Sequence, residues 1–245
     1  MRFDGRADDA MREVRITPNY LDFAHGSCLI EVGKTRVLCT AMIEESVPRW
    51  KQHEDAGWVT AEYAMLPGST PRRTRRGVSA GRPDGRTVEI QRLIGRAVRT
   101  VVDFKKLGRR TIWLDCDVIQ ADGGTRCASI TGAWVALALA CEKLHREGSI
   151  TESPLMDTVA AVSAGVVGGI AVLDLPYPED STADVDMNIV VTGDGRLIEV
   201  QGTAEKVPFT RDVLNRLTDL GELGCAQLRD LQLAAVPGVR VGAGS

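Results

Sequence analysis

The sequence predicts an α+β fold made of two similar halves in one domain. In both halves, short β-rich runs joined by Gly-containing turns are followed by a long helical segment. The first half predicts strands at 24–32, 35–43, 58–66 and 111–119 and helices at 87–107 and 125–147. The second half predicts strands at 159–167, 170–175, 183–192 and 196–201 and helices at 210–220 and 222–235. We expect a single domain over residues 1–245, with a polar lead-in at 1–19 and a frayed tail at 237–245.

Turn residues and one apolar stripe predict the early elements. Gly33-Lys34 joins two β-rich runs, which indicates a hairpin, and Pro67-Gly68 ends the strand that follows. From residue 87 to 107 the apolar side chains recur at helical spacing on one face. Gly108 is typical of a helix C-terminus, so this helix should end there.

Between 111 and 119 apolar and polar residues alternate, as in a half-buried strand. Asp115 and Asp117 fall on one face of it, and we interpret them as structural partners of nearby arginines rather than catalysts. The helix at 125–147 is rich in Ala, Leu and Val nearly all round, which predicts deep burial.

The second half repeats this order after a connection at 148–154. Gly193-Asp194-Gly195 separates two β-rich runs and predicts a second hairpin. Thr210 has the chemistry of a helix N-cap, with Asp212 in the first helical turn. We expect two amphipathic helices, one on each side of Gly221, to close the chain.

Composition is that of an ordinary globular protein, with 44% hydrophobic and 26% charged residues. Because the net charge is −3, any polyanion site must be a local basic patch. The six cysteines include no Cys-x-x-Cys pair, which favours reduced core thiols over zinc ligands or disulfides. We see neither a signal-peptide core nor an apolar run of membrane-spanning length, so we expect a cytoplasmic protein without a membrane partner.

Residues 69–86 form the basic patch. The segment holds six arginines, three glycines and two prolines in eighteen residues, and Asp84 alone opposes their charge. Such a composition predicts a mobile loop, and arginines in this density favour a polyanion over a merely solvated surface. Arginine suits RNA because its guanidinium stacks on unpaired bases as well as binding phosphate.

A glycine turn at residues 122–126 is the first candidate site. Gly123 and Gly124 lie between a predicted strand and a predicted helix, where backbone N–H groups and the helix dipole favour an anion. Thr125 adds a hydroxyl and Arg126 a fixed charge, and Arg86 stands just before another helix. A glycine turn with a Thr N-cap explains the same residues, so the pattern alone leaves both interpretations open.

Acidic residues at 179–188 form the second candidate site. Strand alternation places Asp184, Asp186 and Asn188 on one face, and Asp180 lies in the turn before them. Clustered carboxylates need a metal, an arginine or a shared proton, and oxygen ligands near phosphate favour Mg²⁺. An acidic turn before an edge strand is the structural alternative.

Six motifs in order, extending to about residue 232, resemble the ribonuclease PH family. The motifs are Leu29-Ile30-Glu31-Val32-Gly33, Gly57-Trp58-Val59-Thr60-Ala61-Glu62-Tyr63, Glu89-Ile90-Gln91-Arg92-Leu93-Ile94-Gly95-Arg96, 120–131, 183–188 and Glu199-Val200-Gln201-Gly202-Thr203-Ala204-Glu205. The resemblance implies a ribonuclease PH-type fold and a phosphate-dependent 3′→5′ exoribonuclease. Such an enzyme trims the 3′ ends of tRNA precursors, releases nucleoside diphosphates and runs in reverse as a nucleotidyltransferase. It also implies inorganic phosphate as co-substrate, Mg²⁺ as cofactor and a homohexamer built as a trimer of dimers.

The resemblance also implies roles for individual residues. The matched phosphate-binding positions are Arg86, Gly124, Thr125 and Arg126. Asp180 and Asp186 match the carboxylates of the catalytic and Mg²⁺ site, to which Arg126 also contributes. The family's RNA-binding loop contains Arg72, Arg73, Arg75 and Arg76, although their spacing and Pro83 depart from the family pattern.

Two other interpretations are of related proteins. A catalytically silent RNA-binding ring subunit of an exosome-like assembly should lack the phosphate arginines or the aspartates, whereas both sets are present. Half of a polynucleotide phosphorylase is disfavoured by the absence of appended RNA-binding modules in this chain. A purely hydrolytic nuclease would not need an anion site beside the acids.

Overall fold

The computed structural model describes residues 2–75, 84–206 and 208–242. Its first half is a five-stranded sheet in the order β1-β2-β3-β5-β4, antiparallel except for the parallel pair β4 and β5. The strands are β1 (Val14–Pro18), β2 (Gly26–Val32), β3 (Thr35–Glu44), β4 (Trp58–Met65) and β5 (Thr111–Gln120). The helices of this half are α1 (Gly85–Arg99), the short α2 (Phe104–Leu107) and α3 (Thr125–Arg146).

The second half is a four-stranded antiparallel sheet in the order β7-β6-β8-β9. Its elements are β6 (Val159–Val167), β7 (Ile170–Leu173), the short α4 (Tyr177–Asp180), β8 (Val185–Thr192), β9 (Leu197–Ala204) and α5 (Arg211–Ala235). The α+β class predicted from the sequence is confirmed.

Helix α3 lies between the two sheets. On one side Gly132 packs so closely on β3 that an added Cβ would lie 2.6 Å from Cys39 Sγ. On the other side the Thr131 hydroxyl accepts a hydrogen bond of 3.2 Å from the Ala161 N–H of β6. The Trp134 side chain is fully buried and donates to the Asp157 carbonyl. Helix α3 therefore belongs to the cores of both halves.

Burial on both sides explains the composition of α3. It is the one helix among the described residues that is long and apolar enough to span a membrane, contrary to our expectation of no such run. Since 83% of its most apolar window is buried inside the protein, the apolar surface is that of a core helix.

Helix α5 covers the other face of the second sheet and is continuous, so the two predicted closing helices are one. Gly221 does not break the helix because it faces the sheet, where an added Cβ would lie 2.7 Å from the Ile189 side chain. Thr210 is the N-cap, as predicted, and accepts from the Val213 N–H.

Three other predicted boundaries were wrong. Strand β1 lies in what we expected to be a polar lead-in. The predicted helix at 87–107 is two helices, because α1 ends at Arg99 and α2 begins at Phe104, each with an Asp N-cap. The expected frayed tail returns to the core as far as residue 242, where the Gly242 N–H donates to the Leu155 carbonyl at 2.9 Å.

The contact of β2 with α3 gives a test of this packing. An added Cβ at Gly26 would overlap the Ala136 carbonyl oxygen and lie 2.7 Å from the Ala140 nitrogen. We therefore expect Gly26→Ala to separate strand from helix and to lower the free energy of unfolding by about 1–3 kcal/mol, measured by urea denaturation. Gly68→Ala is the control, because nothing lies within 4 Å of its added Cβ. Equal stability of the two variants would contradict the close approach.

Candidate active site

The glycine turn between β5 and α3 has a fixed shape. Gly123 and Gly124 have φ angles of 75° and 68°, in the left-handed region that favours glycine. The Thr35 hydroxyl donates to the Gly123 carbonyl at 2.7 Å and accepts from the Asp122 N–H at 2.9 Å. Gly124, rather than Thr125, is the N-cap of α3 and makes no side-chain cap. The first N–H groups of this helix are consequently available to an anion.

Thr125 and Arg126 begin α3 and reach different neighbours. The Thr125 hydroxyl is buried and lies 3.0 Å from the Tyr63 hydroxyl of β4. The Arg126 guanidinium donates to Gln201 Oε1 of β9 at 2.7 Å and lies 3.7 Å from Glu89 Oε1 of α1. Arg126 therefore connects the turn of the first half to the sheet of the second.

Arg86 lies inside the first turn of α1, not just before the helix as we predicted, and is exposed. Burial raises the pKa values of Asp180 and Asp186, and the positive charges of Arg86 and Arg126 partly offset that rise. The two arginines and the two aspartates that we predicted as site residues are thus brought within electrostatic reach of one another.

The two aspartates come from different elements of the second half. Asp180 ends α4, and burial raises its pKa. Asp186 lies on β8, where burial and the negative charge of Asp180 raise its pKa to about 6. Glu205, just after β9, adds a third negative charge that raises the pKa of both. The site therefore has carboxylates that would gain from a cation.

Other predicted acids lie elsewhere. Asp184 forms an ion pair of 2.8 Å with Lys206, and Asn188 is buried, accepting from the Cys127 thiol. Asp115 and Asp117 form no ion pair with an arginine in the described part of the chain, so the arginine partners that we predicted for them are not found there. Burial raises the pKa of each.

The predicted RNA-binding arginines are only partly within the described residues. Arg72, Arg73 and Arg75 are exposed, in a segment fastened by a hydrogen bond of 3.0 Å from Thr74 N–H to the Pro67 carbonyl. Arg76 lies outside the residues that the structure describes. The role of all four in binding RNA stays a prediction.

Family comparison identifies the chain. The profile of the 3′ exoribonuclease family matches residues 10–141 as its domain 1 and residues 157–222 as its domain 2. The chain belongs to this family. Ribonuclease PH of Neisseria meningitidis is 56% identical over 94% of this chain and 96% of its own length. Ribonuclease PH of Bacillus cereus is also 56% identical, over 96% of this chain and 97% of its own.

Solved structures agree in fold. The Archaeoglobus fulgidus exosome with RNA bound to the active site superposes with a TM-score of 0.78 at 24% identity, over 94% of this chain and 91% of that chain. Rice Rrp46 superposes with a TM-score of 0.76 at 19% identity, over 94% and 98% of the two chains. The predicted ribonuclease PH-type fold is confirmed.

This 3′ exoribonuclease family member is a phosphorolytic 3′→5′ exoribonuclease and nucleotidyltransferase, as we expected, and inorganic phosphate is its co-substrate. Phosphate must therefore be held close to RNA, which is itself an anion. The geometry around Arg86 and Arg126 suits this requirement, while the role of each residue stays a prediction.

Four neighbours of the site were missed by sequence reasoning. Tyr63, Glu89, Gln201 and Glu205 all lie within the motifs that resemble the family, which was the available signal. Neither periodicity nor spacing singles them out, since each has a residue type that is common on any strand or helix.

Close contact between the halves at Gly123 gives a test of the site's geometry. An added Cβ there would overlap the Leu175 carbonyl and lie 2.8 Å from the Tyr177 nitrogen. We expect Gly123→Ala to displace the turn and to lower the rate of phosphorolysis by about 10²-fold, measured as phosphate-dependent shortening of RNA.

Gly195→Ala is the matched control, because its φ of 88° imposes similar backbone strain of about 1–3 kcal/mol but nothing lies within 4 Å of the added Cβ. It should retain normal activity. A Gly123→Ala enzyme as active as Gly195→Ala would show that the turn is not held against residues 175–177.

Proposed function

We propose that Arg86, Arg126 and the turn at 124–125 hold inorganic phosphate for attack on an RNA phosphodiester that faces Asp180 and Asp186. The observation that carries this proposal is that Arg126 of the first half donates to Gln201 of β9, the strand that pairs with β8, which carries Asp186. Cationic and anionic side chains from both halves therefore meet at this boundary. An anion and a cation can be accommodated side by side there.

The charges address the main barrier of the reaction, the repulsion between phosphate and RNA. Arg126, held by Gln201 and Glu89, and the N–H groups that begin α3 offset the negative charge of phosphate and orient it. A phosphate oxygen attacks the terminal phosphorus, and the bond from that phosphorus to the 3′ oxygen of the preceding nucleotide breaks. The products are a nucleoside diphosphate and RNA one nucleotide shorter with a 3′ hydroxyl.

Asp180 and Asp186 fit Mg²⁺. Burial raises the pKa values of both carboxylates, and nearby carboxylates raise them further, Glu205 for Asp180 and both Asp180 and Glu205 for Asp186. A cation would relieve both effects. No group of three or more His, Cys, Asp or Glu residues that could hold a metal occurs within the described ranges. Two carboxylates nevertheless suit Mg²⁺, which usually keeps waters and substrate phosphates as its other ligands. When bound, the metal would stabilise negative charge on the scissile phosphate. Alternatively, one of the acids donates a proton to the departing 3′ oxygen.

We further propose that the natural substrates are the 3′ ends of tRNA precursors and that the enzyme is a cytoplasmic homohexamer, a trimer of dimers. The resemblance to ribonuclease PH supports each of these proposals. The exposed arginines Arg72, Arg73 and Arg75, with Arg76 beyond them in the sequence, supply the charge for an RNA partner in a chain of net charge −3. The silent-subunit alternative is disfavoured because both arginines and both aspartates are present.

Replacing Arg126 tests the phosphate site. We expect Arg126→Ala to lower the rate of phosphorolysis by about 10²-fold or more, because it removes a charge that stabilises the transition state. The assay follows an RNA with an unpaired 3′ end in the presence of Mg²⁺, with and without phosphate, and separates nucleoside diphosphates from monophosphates.

Arg196→Ala removes an exposed arginine from the far end of the β8–β9 hairpin and should leave the rate unchanged. A near-normal rate of Arg126→Ala at saturating phosphate would refute the assignment of Arg126. Monophosphates formed without phosphate would refute the phosphate site as a whole.

The loop arginines are tested by salt dependence. Replacing Arg72, Arg73 and Arg75 together by Gln should weaken RNA binding and reduce the slope of log K against log salt concentration by about 2, at ~0.7 for each RNA phosphate that is no longer neutralised. Fluorescence anisotropy with a short single-stranded RNA measures both quantities.

The matched control replaces three exposed arginines of α5, Arg211, Arg216 and Arg229, by Gln. The two triple variants carry the same net charge, so only a local interaction with RNA distinguishes them. Equal slopes for the two would contradict an RNA-binding role of the loop.

A further inference from the structure

The N-terminal segment, residues 2–12, crosses the boundary between the two halves and buries charged side chains there. Arg12 is 8% exposed and grips Asp174 with both sides of its guanidinium, Nε to Oδ2 at 2.9 Å and Nη2 to Oδ1 at 2.7 Å. The Arg12 N–H also donates to Asp174 Oδ2, at 2.7 Å. This bidentate geometry is the strongest form of an arginine–carboxylate pair.

The same guanidinium contacts the glycine turn of the first half. Arg12 Nη1 donates to the Asp122 carbonyl, and Nη2 lies 3.4 Å from the position of an added Cβ on Gly124. Arg12 thus lies directly behind the residues that begin the phosphate site. One planar side chain connects that turn to Asp174.

Asp174 in turn begins the loop that leads to Asp180. Its φ of 55° is uncommon for a residue other than glycine, and its N–H donates to the Ser163 carbonyl at 2.7 Å. Burial opposes its ionisation, yet the hydrogen bonds and charge of Arg12 hold the pKa of Asp174 below its ordinary value. The carboxylate is therefore ionised and fixed at the base of the loop.

Two further arginines of the segment secure the same loop. Arg2 forms a buried ion pair with Glu179, next to Asp180, at 2.6 Å. Arg2 and Arg6 both donate to the Asp174 carbonyl, at 2.8 and 3.1 Å. Contacts from the N-terminal segment thus hold the chain at Asp174 and again at Glu179, the residue before Asp180.

We propose that Arg12 and Asp174 are positioning residues for phosphorolysis, which fix the distance between the bound phosphate and the carboxylates of Asp180 and Asp186. The inference rests on the function proposed above. Neither residue needs to touch the substrate. Their effect comes from holding a turn of one half and a loop of the other in a single geometry, on which attack depends.

Conservative substitutions test this role. Lysine at position 12 keeps the charge but has a single point of contact, so Arg12→Lys cannot hold Asp174 and the Asp122 carbonyl together. We expect kcat/KM for phosphate to fall by about 10²-fold, with a raised KM for phosphate and an unchanged KM for RNA. Asp174→Asn should act in the same direction. Melting curves establish that each variant is folded at the assay temperature.

Lys51→Met is the matched control. Lys51 is also a buried cation, 6% exposed, and pairs with Glu54 at 2.6 Å. Lys51 contacts Trp58, the first residue of β4, which pairs with Thr111 at the start of β5. The glycine turn follows the opposite end of β5, so Lys51 lies away from it. Lys51→Met should therefore lower the melting temperature but leave the KM for phosphate unchanged.

The outcomes separate the two proposals. Normal phosphate kinetics in folded Arg12→Lys, beside an impaired Arg126→Ala, would overturn the positioning role alone. A normal Arg126→Ala would overturn the phosphate site itself. If Arg12→Lys is unfolded at the assay temperature, the phosphate kinetics of Asp174→Asn test the positioning role instead. If both variants are unfolded, the pair is needed for folding rather than for positioning, and the inference is wrong.

Discussion

The burial of α3 between two sheets is the constraint on which the rest of the structure depends. A helix that packs on both sides must be apolar nearly all round, and its polar groups are confined to its ends and to a few buried hydrogen bonds such as that of Thr131. Because the helix belongs to both cores, its N-terminus emerges at the boundary between the halves. The glycine turn therefore faces the segment that leads to Asp180, so the candidate active site is built from residues of both halves.

Two aspartates at this boundary, Asp174 buried and Asp186 half-buried, have pKa values shifted in opposite directions because their surroundings differ. Asp174 receives three hydrogen bonds from Arg12, which hold its pKa below the ordinary value despite burial. Asp186 accepts no side-chain hydrogen bond from the described residues and has a neighbouring carboxylate, so its pKa is raised to about 6. The carboxylate of Asp174, which is hydrogen-bonded by the protein, stabilises the fold, whereas the carboxylate of Asp186 has no such partner among the described residues and suits a ligand.

Much of this arrangement could be predicted from the sequence, because strand alternation, turns and the apolar helix at 125–147 are local signals. The predictions that were wrong concern residues whose structure is decided by tertiary contacts. Gly221 looked like a helix end because its contact with Ile189 is not visible in sequence. The Arg- and Asp-rich residues 1–19 looked like a solvated lead-in because their buried partners, Asp174 and Glu179, lie more than 160 residues away.

The residues of the candidate site likewise include some that the sequence predicts and some that it does not. Arg86, Arg126, Asp180 and Asp186 stand out by charge and spacing and by resemblance to a family. Tyr63 and Gln201, which hold Thr125 and Arg126, have no sequence pattern of their own, because their effect arises only when distant strands meet. The family resemblance implied a role for each of these residues, and the structure brings the residues within electrostatic reach of one another.

The central claim is that one site binds an anion through the first half and a divalent cation through the second. A crystal structure from crystals grown with phosphate and Mn²⁺ tests this most directly. The anomalous scattering of Mn²⁺ shows where the metal binds. We expect a phosphate ion on Arg86, Arg126 and the first N–H groups of α3, and Mn²⁺ on Asp180 and Asp186. Phosphate bound away from both arginines, or Mn²⁺ bound away from both aspartates, would contradict the account.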